Sequence, residues 1–599
     1  MDQVKLMIDG IEVTVEPNTT ILEAARLVGI EIPSLCYLKG INEIGACRVC
    51  LVEIEGVKAL QASCVYPVSE GLKVHTNTPR VRRARRTVVE LLMSNHHREC
   101  LTCIRNLNCE LQNVADNLGV RNLRHTGEMI DYGFYDRNPA IVRDYNKCIV
   151  CRRCEAICSK IQEVNVYSAQ RRGLNTVIAP AFQKDLGDVA CIMCGQCVIA
   201  CPTGSLAEKE HIEPVWRALE DPDKYVVVQT APSIQVTLGE PFGLPVGTVV
   251  TGKMVAALRR LGFNRVFATD FTADLTIIEE AHELLERLAG KGKLPLLSSC
   301  CPAWIKLCEH FYPEFLPNLS SCKSPHEMFG ALTKTYFAEK QGIDPQKIVS
   351  VAIMPCTAKK YEAARPEMGA NGMRDVDYVL TTRELARMIR QAGIDFKNLP
   401  DESFDTPMGI SSGAGAIFGA TGGVIEAAVR TAYALTHDEE MGYLDFEEVR
   451  GQSGIKACEV ELAGKRIRIG VAHGAGNARR ILDSILAGES YDYVEIMGCS
   501  GGCVGGGGQP ILGGRDQKRI SLDYRHNRAD ALYHIDEHKI WRRAHDNPAV
   551  KALYAEYLGH PLSKRAKALL HTTYENRGRY CAFTDDDKKR WFEHQLAAR

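Results

Sequence analysis

Two cysteine runs constrain this chain more than anything else in it: Cys148-x2-Cys151-x2-Cys154-x3-Cys158 and Cys191-x2-Cys194-x2-Cys197-x3-Cys201-Pro202. Three thiolates at this spacing wrap one four-iron, four-sulfur cube, and the fourth reaches a different cube. The spacing therefore pairs Cys148, Cys151 and Cys154 with Cys201, and Cys191, Cys194 and Cys197 with Cys158. Zinc or coincidence is a poor account of the same spacing used twice. The runs take eight of 24 cysteines; seven more lie between Cys36 and Cys109, and none falls between Cys201 and Cys300. A metal-binding front and a differently organised back follow. In a chain of 599 residues, clustered cysteines point to metal in a reducing compartment. Disulfide frameworks belong mainly to short secreted chains.

Such a length implies several domains, because single cores stop growing near ~250–300 residues. A net charge of −1 gives no global field to attract nucleic acid or membranes. No apolar run reaches the ~18–20 residues of a membrane span. The start, MDQVKLMIDG, has no basic segment followed by an apolar one. A soluble, cytoplasmic protein is the default expectation.

Residues 4–15 alternate apolar and polar around Asp9-Gly10, which predicts a β-hairpin. Thr20 and Glu23 predict a capping box opening a helix that ends near Gly29. Cys36-x10-Cys47-x2-Cys50-x13-Cys64 follows. The segment resembles a plant-type 2Fe-2S ferredoxin of β-grasp fold, with a longer first gap; structural zinc fits that gap poorly. His96-x3-Cys100-x2-Cys103-x5-Cys109 comes next. By itself it suits a 4Fe-4S cluster or zinc. Placed after a ferredoxin-like segment, it resembles the front of iron-only hydrogenases and of the large iron–sulfur subunit of respiratory complex I. That resemblance selects His96 over its neighbour His97. Arg80, Arg82, Arg83, Arg85 and Arg86 precede it. They read as a solvated helix face or, functionally, as a patch for an acidic electron carrier. The double cysteine run resembles the bacterial two-cluster ferredoxins.

From about residue 214 short β-rich runs (KYVVVQTAPS, RVFATD, KIVSVAIMPC, VDYVLTT, RIRIGVAHG, YDYVEIMGC) alternate with helical patterns at 275–288, 324–340 and 382–392. This predicts an α/β domain with largely parallel sheets. The cysteines fall where strands end, the place where such sheets bind ligands. GAGAIFG at 413–419 and GAGNAR at 474–479 miss the dinucleotide spacing, and no GxxxxGK[ST] occurs. No flavin or nucleotide site is expected in this chain.

Three segments carry the chemistry of the back: Ser298-Ser-Cys300-Cys301-Pro302-Ala-Trp304, Met354-Pro-Cys356-Thr-Ala-Lys359-Lys-Tyr-Glu362, and Glu495-Ile-Met497-Gly-Cys499-Ser-Gly-Gly-Cys503 with the glycine run before Gln509-Pro510. Together they resemble the signature motifs of FeFe hydrogenases, with Ser298 where threonine is usual. The resemblance implies a 4Fe-4S cubane joined to a di-iron unit with carbonyl, cyanide and a bridging dithiolate (the H-cluster). It implies Cys301, Cys356, Cys499 and Cys503 as cubane ligands, with Cys503 the bridge. Lys359, Ser233 and Pro232 match the family's cyanide partners. Met354 and Met497 match its soft packing, and Phe418 a wall. Cys300 matches the proton carrier, and Glu280, Glu283, Ser320 and Arg287 the proton route. Cys308, Cys322, Cys458 and Cys581 match no motif and read as packing residues.

The implied whole is a multidomain α/β and α+β chain: a β-grasp 2Fe-2S domain (1–78), a His/Cys3 4Fe-4S domain (79–137), a two-cluster ferredoxin domain (138–213), a catalytic α/β domain (214–572) and a C-terminal extension (573–599). Its implied cofactors are one 2Fe-2S cluster, three accessory 4Fe-4S clusters and the H-cluster. Its implied partners are H2 and protons, maturation proteins, and either a ferredoxin or separate flavin- and NAD(P)-binding subunits of an electron-bifurcating complex. The rival readings are a non-catalytic electron-transfer subunit, an assembly-factor relative and a hydrogen sensor.

Overall fold

The computed structural model describes residues 3–125, 129, 131, 133–370, 372–437, 445–462, 464–512 and 522–578. At the front, Asp9 (φ 48°) and Gly10 (φ 84°) are both left-handed. That turn folds Val4–Ile8 back on Ile11–Val15 in antiparallel register from Val4↔Val15 to Ile8↔Ile11. Alternation buries Leu6, Ile8, Val13 and Val15 on one face, with Ile21 and Leu22 of helix Ile21–Leu27 in the same apolar cluster. Thr20 caps this helix by accepting from the Glu23 amide. Glu23 does not complete the expected box; its carboxylate pairs with Arg26 and Lys39. Lys73–His75 runs parallel to the first strand and Leu51–Ile54 antiparallel to Lys73–His75, giving a five-stranded mixed sheet with a helix across it, a β-grasp.

The arginine-rich helix is Pro79–Ser94, capped by Thr78. Much of its charge is committed internally. Arg85 is buried and donates to the Leu51 carbonyl at 2.9 Å. Arg80 pairs with Glu53, and Arg86 with the buried Glu90. Further on, Leu206–Glu208 pairs antiparallel with Ile141–Asp144. This pairing closes the two cysteine runs into one unit, so that the start of one run and the end of the other meet.

The back holds two four-stranded sheets. One is wholly parallel, in the order Arg265–Ala268, Tyr225–Thr230, Ile348–Met354, Tyr378–Thr381. In the other, Leu296–Leu297, Tyr493–Met497 and Lys465–His473 are parallel and Ile455–Leu462 is an antiparallel edge. The expected helices are present with shifted ends. Asp270–Leu288 starts earlier than its periodicity predicts. The 324–340 pattern becomes Pro325–Leu332, a wide turn at Thr333–Phe337, and Ala338–Gln341. Thr382–Gln391 has a complete Thr381/Glu384 capping box. No described helix is long and apolar enough to cross a membrane.

Front and back are stitched by hydrogen bonds. Gln162 donates to the Gly498 carbonyl (2.8 Å) and accepts from the Ala475 amide (3.0 Å). Gln196 donates to Gly505 O at 2.9 Å, and Thr357 to Met193 O at 2.7 Å. Gln162 thus occupies the start of the glycine-led helix Ala475–Leu486 with protein. At the carboxyl end, helix Leu522–His538 is anchored by the buried pair Arg528–Glu240, and Arg528 also donates to Val504 O at 2.7 Å.

Candidate active site

The two sheets aim their strand ends at one cavity. Residues just past Tyr225–Thr230, Ile348–Met354, Leu296–Leu297 and Tyr493–Met497 line it. Cys300, Cys301, Cys356, Cys499 and Cys503 border it, together with Pro232, Ser233, Met354, Lys359, Phe418 and Met497. The sequence scatters these residues over some 270 positions; the strand ends bring them together.

Glycine is required where the Cys503 loop lies down. A β-carbon at Gly506 would sit 2.3 Å from Pro355 O, and one at Gly507 2.1 Å from Cys194 O. Only hydrogen there lets the loop touch both the Cys356 turn and the Cys194 loop. The wall is otherwise apolar apart from few groups. Lys359 Nζ donates to Cys300 O at 3.0 Å and to Glu362 at 2.7 Å. Burial works against its charge, but the Glu362 carboxylate outweighs that and raises the amine. Glu362 is itself bonded to His326 Nε2 at 2.7 Å. Ser233 accepts from Gln509 at 3.2 Å, and Ser298 accepts from the Ile496 amide at 3.2 Å. Burial pushes the Cys300 thiol up, with the Glu280 carboxylate adding to it. Burial also pushes Cys503 up to about 12. Thiolates are costly in such a pocket unless a cation accompanies them, so the donor set suits a bound iron cluster.

A polar file leads away from Cys300 along helix Asp270–Leu288. Burial, then the Glu283 charge, pushes Glu280 up to about 8, and it accepts from Tyr493 OH at 3.2 Å. Glu283 accepts from Ser320 Oγ (2.9 Å) and the Ser321 amide (3.2 Å), and pairs with Arg287 at 2.6 Å. Arg287 is fixed by three carbonyls, of Lys293, Asn318 and Leu319.

Two smaller cavities lie in the front. One, of about 270 Å³, is bordered by Cys148, Cys151, Cys154 and Cys201. The other, of about 330 Å³, is bordered by Cys158, Cys191, Cys194 and Cys197. Cys36, Cys47, Cys50 and Cys64 are all buried, with the Cys50 and Cys64 sulfurs 3.3 Å apart. His96 is buried with its Nδ1 unpartnered, and burial lowers it to about 4, so the ring is neutral at pH 7. An orphaned neutral imidazole nitrogen suits a metal. Cys109 is buried, with Cys100 and Cys103 half-exposed. Cys308 and Cys322 lie in apolar clusters, Cys458 on the edge strand is half-buried, and Cys581 lies outside the described residues.

Residues 224–507 match the family described as iron only hydrogenase large subunit, C-terminal domain. The front matches a 2Fe-2S iron–sulfur cluster binding domain (1–79), an NADH-ubiquinone oxidoreductase-G iron–sulfur binding region (85–124) and a 4Fe-4S dicluster domain (147–206). Over 590 residues the chain is 50% identical to the NADP-reducing hydrogenase subunit HndD of Solidesulfovibrio fructosivorans, covering 97% of this chain and 100% of that one. The chain belongs to the iron-only hydrogenases. It is also 40% identical to iron hydrogenase 1 of Clostridium pasteurianum, over 95% of this chain and 99% of that one. Its back superposes on a solved [FeFe]-hydrogenase HydA1 from Chlamydomonas reinhardtii with a TM-score of 0.56 at 40% identity, covering 62% of this chain and all of that one. Residues 522–577 match an iron hydrogenase small subunit. That match runs into the stretch beginning at 573, and Arg577 docks on Glu309.

Sequence reasoning missed the second layer of this hydrogenase. Tyr493 behind Glu280 and His326 behind Glu362 have no spacing signature. Tyr493 reads as one more β-former in YDYVEIM.

Proposed function

We propose that this hydrogenase interconverts H2 with protons and electrons at the cavity between the strand ends of the two sheets, where Cys301, Cys356, Cys499 and Cys503 would hold the H-cluster. The observation that carries this is the meeting of five thiols and one buried lysine at a single apolar cavity. When bound, the cluster would supply the redox chemistry and the making and breaking of the H–H bond. The chain's own residues orient it, exclude water and move protons. Lys359, held by Glu362, presents an ammonium to the cavity for an anionic ligand such as cyanide. Ser233 and the Pro232 turn offer a second polar contact, while Met354, Met497 and Phe418 keep the wall soft and dry. Cys300 carries a proton between the cavity and Glu280; from there Ser320 and Glu283 carry it outward, with Arg287 positioning Glu283.

Electrons use the front. Cys36, Cys47, Cys50 and Cys64 hold a 2Fe-2S cluster; His96, Cys100, Cys103 and Cys109, and the two dicluster sets, hold three 4Fe-4S clusters. Both outer sites touch the Cys148/Cys151/Cys154/Cys201 loops. Asn42 donates to Cys36 O (2.8 Å) and Cys151 O (3.0 Å). The Glu110 amide donates to Pro202 O at 3.0 Å, and Arg105 to Cys201 O at 3.3 Å. The inner set abuts the catalytic loop, where Gly507 packs on Cys194. Kinship to a subunit named NADP-reducing supports separate nucleotide- and flavin-binding subunits as the electron partner, with a ferredoxin as the alternative, in a cytoplasmic setting. Anaerobic protein made with its maturation proteins should contain roughly 20 irons per chain. It should reduce a viologen with H2 and leave NAD(P)+ untouched. About half that iron, or NAD(P)+ reduction by the chain alone, would contradict the proposal.

A further inference from the structure

The proton route described above ends at Glu283, yet the hydrogen bonds continue past it. The stretch that supplies Ser320 is covered by a strap from the small-subunit-like segment. Lys323 N donates to Leu570 O at 2.7 Å, and Thr572 N to Ser321 O at 2.8 Å. Tyr574 OH donates to Ser320 O at 3.1 Å. This pairing lays His571 alongside Ser321: His571 Nδ1 is 2.8 Å from Ser321 Oγ. On its other side His571 Nε2 is 3.1 Å from Glu279 Oε2. Glu279 is fully buried, and it also accepts from Tyr554 OH at 2.5 Å and from Leu562 N at 2.9 Å. Ser321 Oγ lies 3.5 Å from Glu283 Oε2. One hydroxyl thus stands between the Glu283 carboxylate and an imidazole whose far nitrogen is fixed by a buried carboxylate.

We propose that His571 is a relay residue beyond Glu283, giving the route an outlet through the strap. Imidazole is the side chain that takes up and releases a proton between pH 5 and 8. Glu279 accepts from Nε2–H, which leaves the Nδ1 lone pair facing Ser321. In hydrogen oxidation, the proton on Glu283 Oε2 passes to Ser321 Oγ as the serine's own hydroxyl proton passes to His571 Nδ1. The carboxylate is restored, the hydroxyl is conserved, and the imidazolium sits against the Glu279 carboxylate. His571, whose side chain keeps 7% of its surface exposed, then turns its Nδ1–H from Ser321 to water and releases that proton, and rotation of the Ser321 hydroxyl resets the relay; hydrogen evolution runs it backwards. The groups facing His571 are Glu279 of the long helix, with Tyr554 behind it, and Ser321 of the covered stretch, with Glu283 and Arg287 behind it.

The inference rests on the proposed proton route, so Cys300→Ser is carried as its control. His571→Gln, Ser321→Ala and their double variant are prepared as full-length, matured protein. Each is measured for iron, carbonyl and cyanide infrared bands, viologen-linked turnover against pH, and the solvent deuterium effect. Both single variants should keep iron and bands. Their turnover should fall on the order of tenfold, short of the ~10²–10⁴ of an obligatory acid–base group because Glu283 keeps an exposed edge. The limb of the pH profile should move, and the deuterium effect should rise. The double variant should lose no more than either single, and added imidazole should restore turnover to a fourth variant, His571→Ala, prepared in the same way. Unchanged turnover and pH profile alongside an inactive Cys300→Ser would overturn the outlet and leave the route standing. A fully active Cys300→Ser would overturn the route itself. Loss of iron with normal turnover per cluster would make His571 a structural clasp and also overturn the proposal.

Discussion

Glu283→Gln separates proton transfer from structural support. The glutamine keeps the shape, so Ser320 Oγ and the Ser321 amide still have an oxygen to donate to. Arg287 keeps its bonds to the carbonyls of Lys293, Asn318 and Leu319, so its guanidinium is not stranded. What is lost is one charge-assisted bond, at 2.6 Å. The glutamine oxygen that serves Ser320 leaves its NH2 facing the guanidinium, so that bond is lost outright, at a cost of about 1.5–3 kcal/mol of stability. In a domain this large each kcal/mol lowers Tm by about 2–4 °C or less. Proton delivery loses more, because the amide does not titrate. Removing a positioned acid–base group costs ~10²–10⁴ in rate, or about 3–5 kcal/mol of barrier. Viologen-linked hydrogen oxidation, normalised to infrared-detected cluster, should therefore collapse while the melting temperature falls by only a few degrees. Turnover within about twofold of wild type, or a rate loss that merely tracks lost cluster, would refute the assignment of Glu283 to the route.

Two other expectations use the same protein. His96→Ala should leave the catalytic infrared bands intact and slow reduction by the native partner more than by small dyes. Unchanged cluster spectra and partner kinetics would move the ligand elsewhere, His97 first. Glu280, raised to about 8 in the fold and ~4.3 in the unfolded chain, binds its proton more tightly when folded. Its contribution is complete below the lower value and is lost as pH climbs through the higher one. Glu280→Gln should therefore gain stability relative to wild type between about pH 4.5 and 8, read from denaturant midpoints; a pH-independent difference would contradict the burial assigned to Glu280.

The parts of this molecule legible in its sequence are those written in local spacing. The Cys148–Cys158 and Cys191–Cys201 runs announce their own cross-pairing, and the structure places the four sulfurs of each set around one cavity. Asp9-Gly10 announces a hairpin. The alternation of strand and helix announces parallel sheets, hence a site at their carboxyl ends. What stayed hidden depends on contacts between distant positions. The antiparallel edge Ile455–Leu462 (IKACEVEL) is mostly half-buried or exposed, and nothing in its own residues says which strand it pairs with or in which direction. Glu23 answered Arg26 and Lys39 instead of its own cap. Arg85 turned from the expected solvated face into the sheet, where it donates to Leu51 O. Gln162, Tyr493 and His571 act through one or two hydrogen bonds to groups more than 200 residues away, and no periodicity marks such a residue.

The most direct test of the whole account is the comparison of Cys300→Ser with Cys301→Ser, two neighbours on one loop given opposite tasks. Each variant is matured anaerobically and measured for iron, for the carbonyl and cyanide bands, and for hydrogen turnover. Cys300→Ser should keep the iron and the bands while turnover collapses, since a hydroxyl is far less acidic than a thiol and transfers protons poorly. Cys301→Ser should lose the catalytic cubane, because a serine oxygen is a poor substitute for a soft thiolate. Loss of the cluster in Cys300→Ser with its retention in Cys301→Ser would swap the two roles, and full hydrogen turnover in both would place the catalytic site elsewhere.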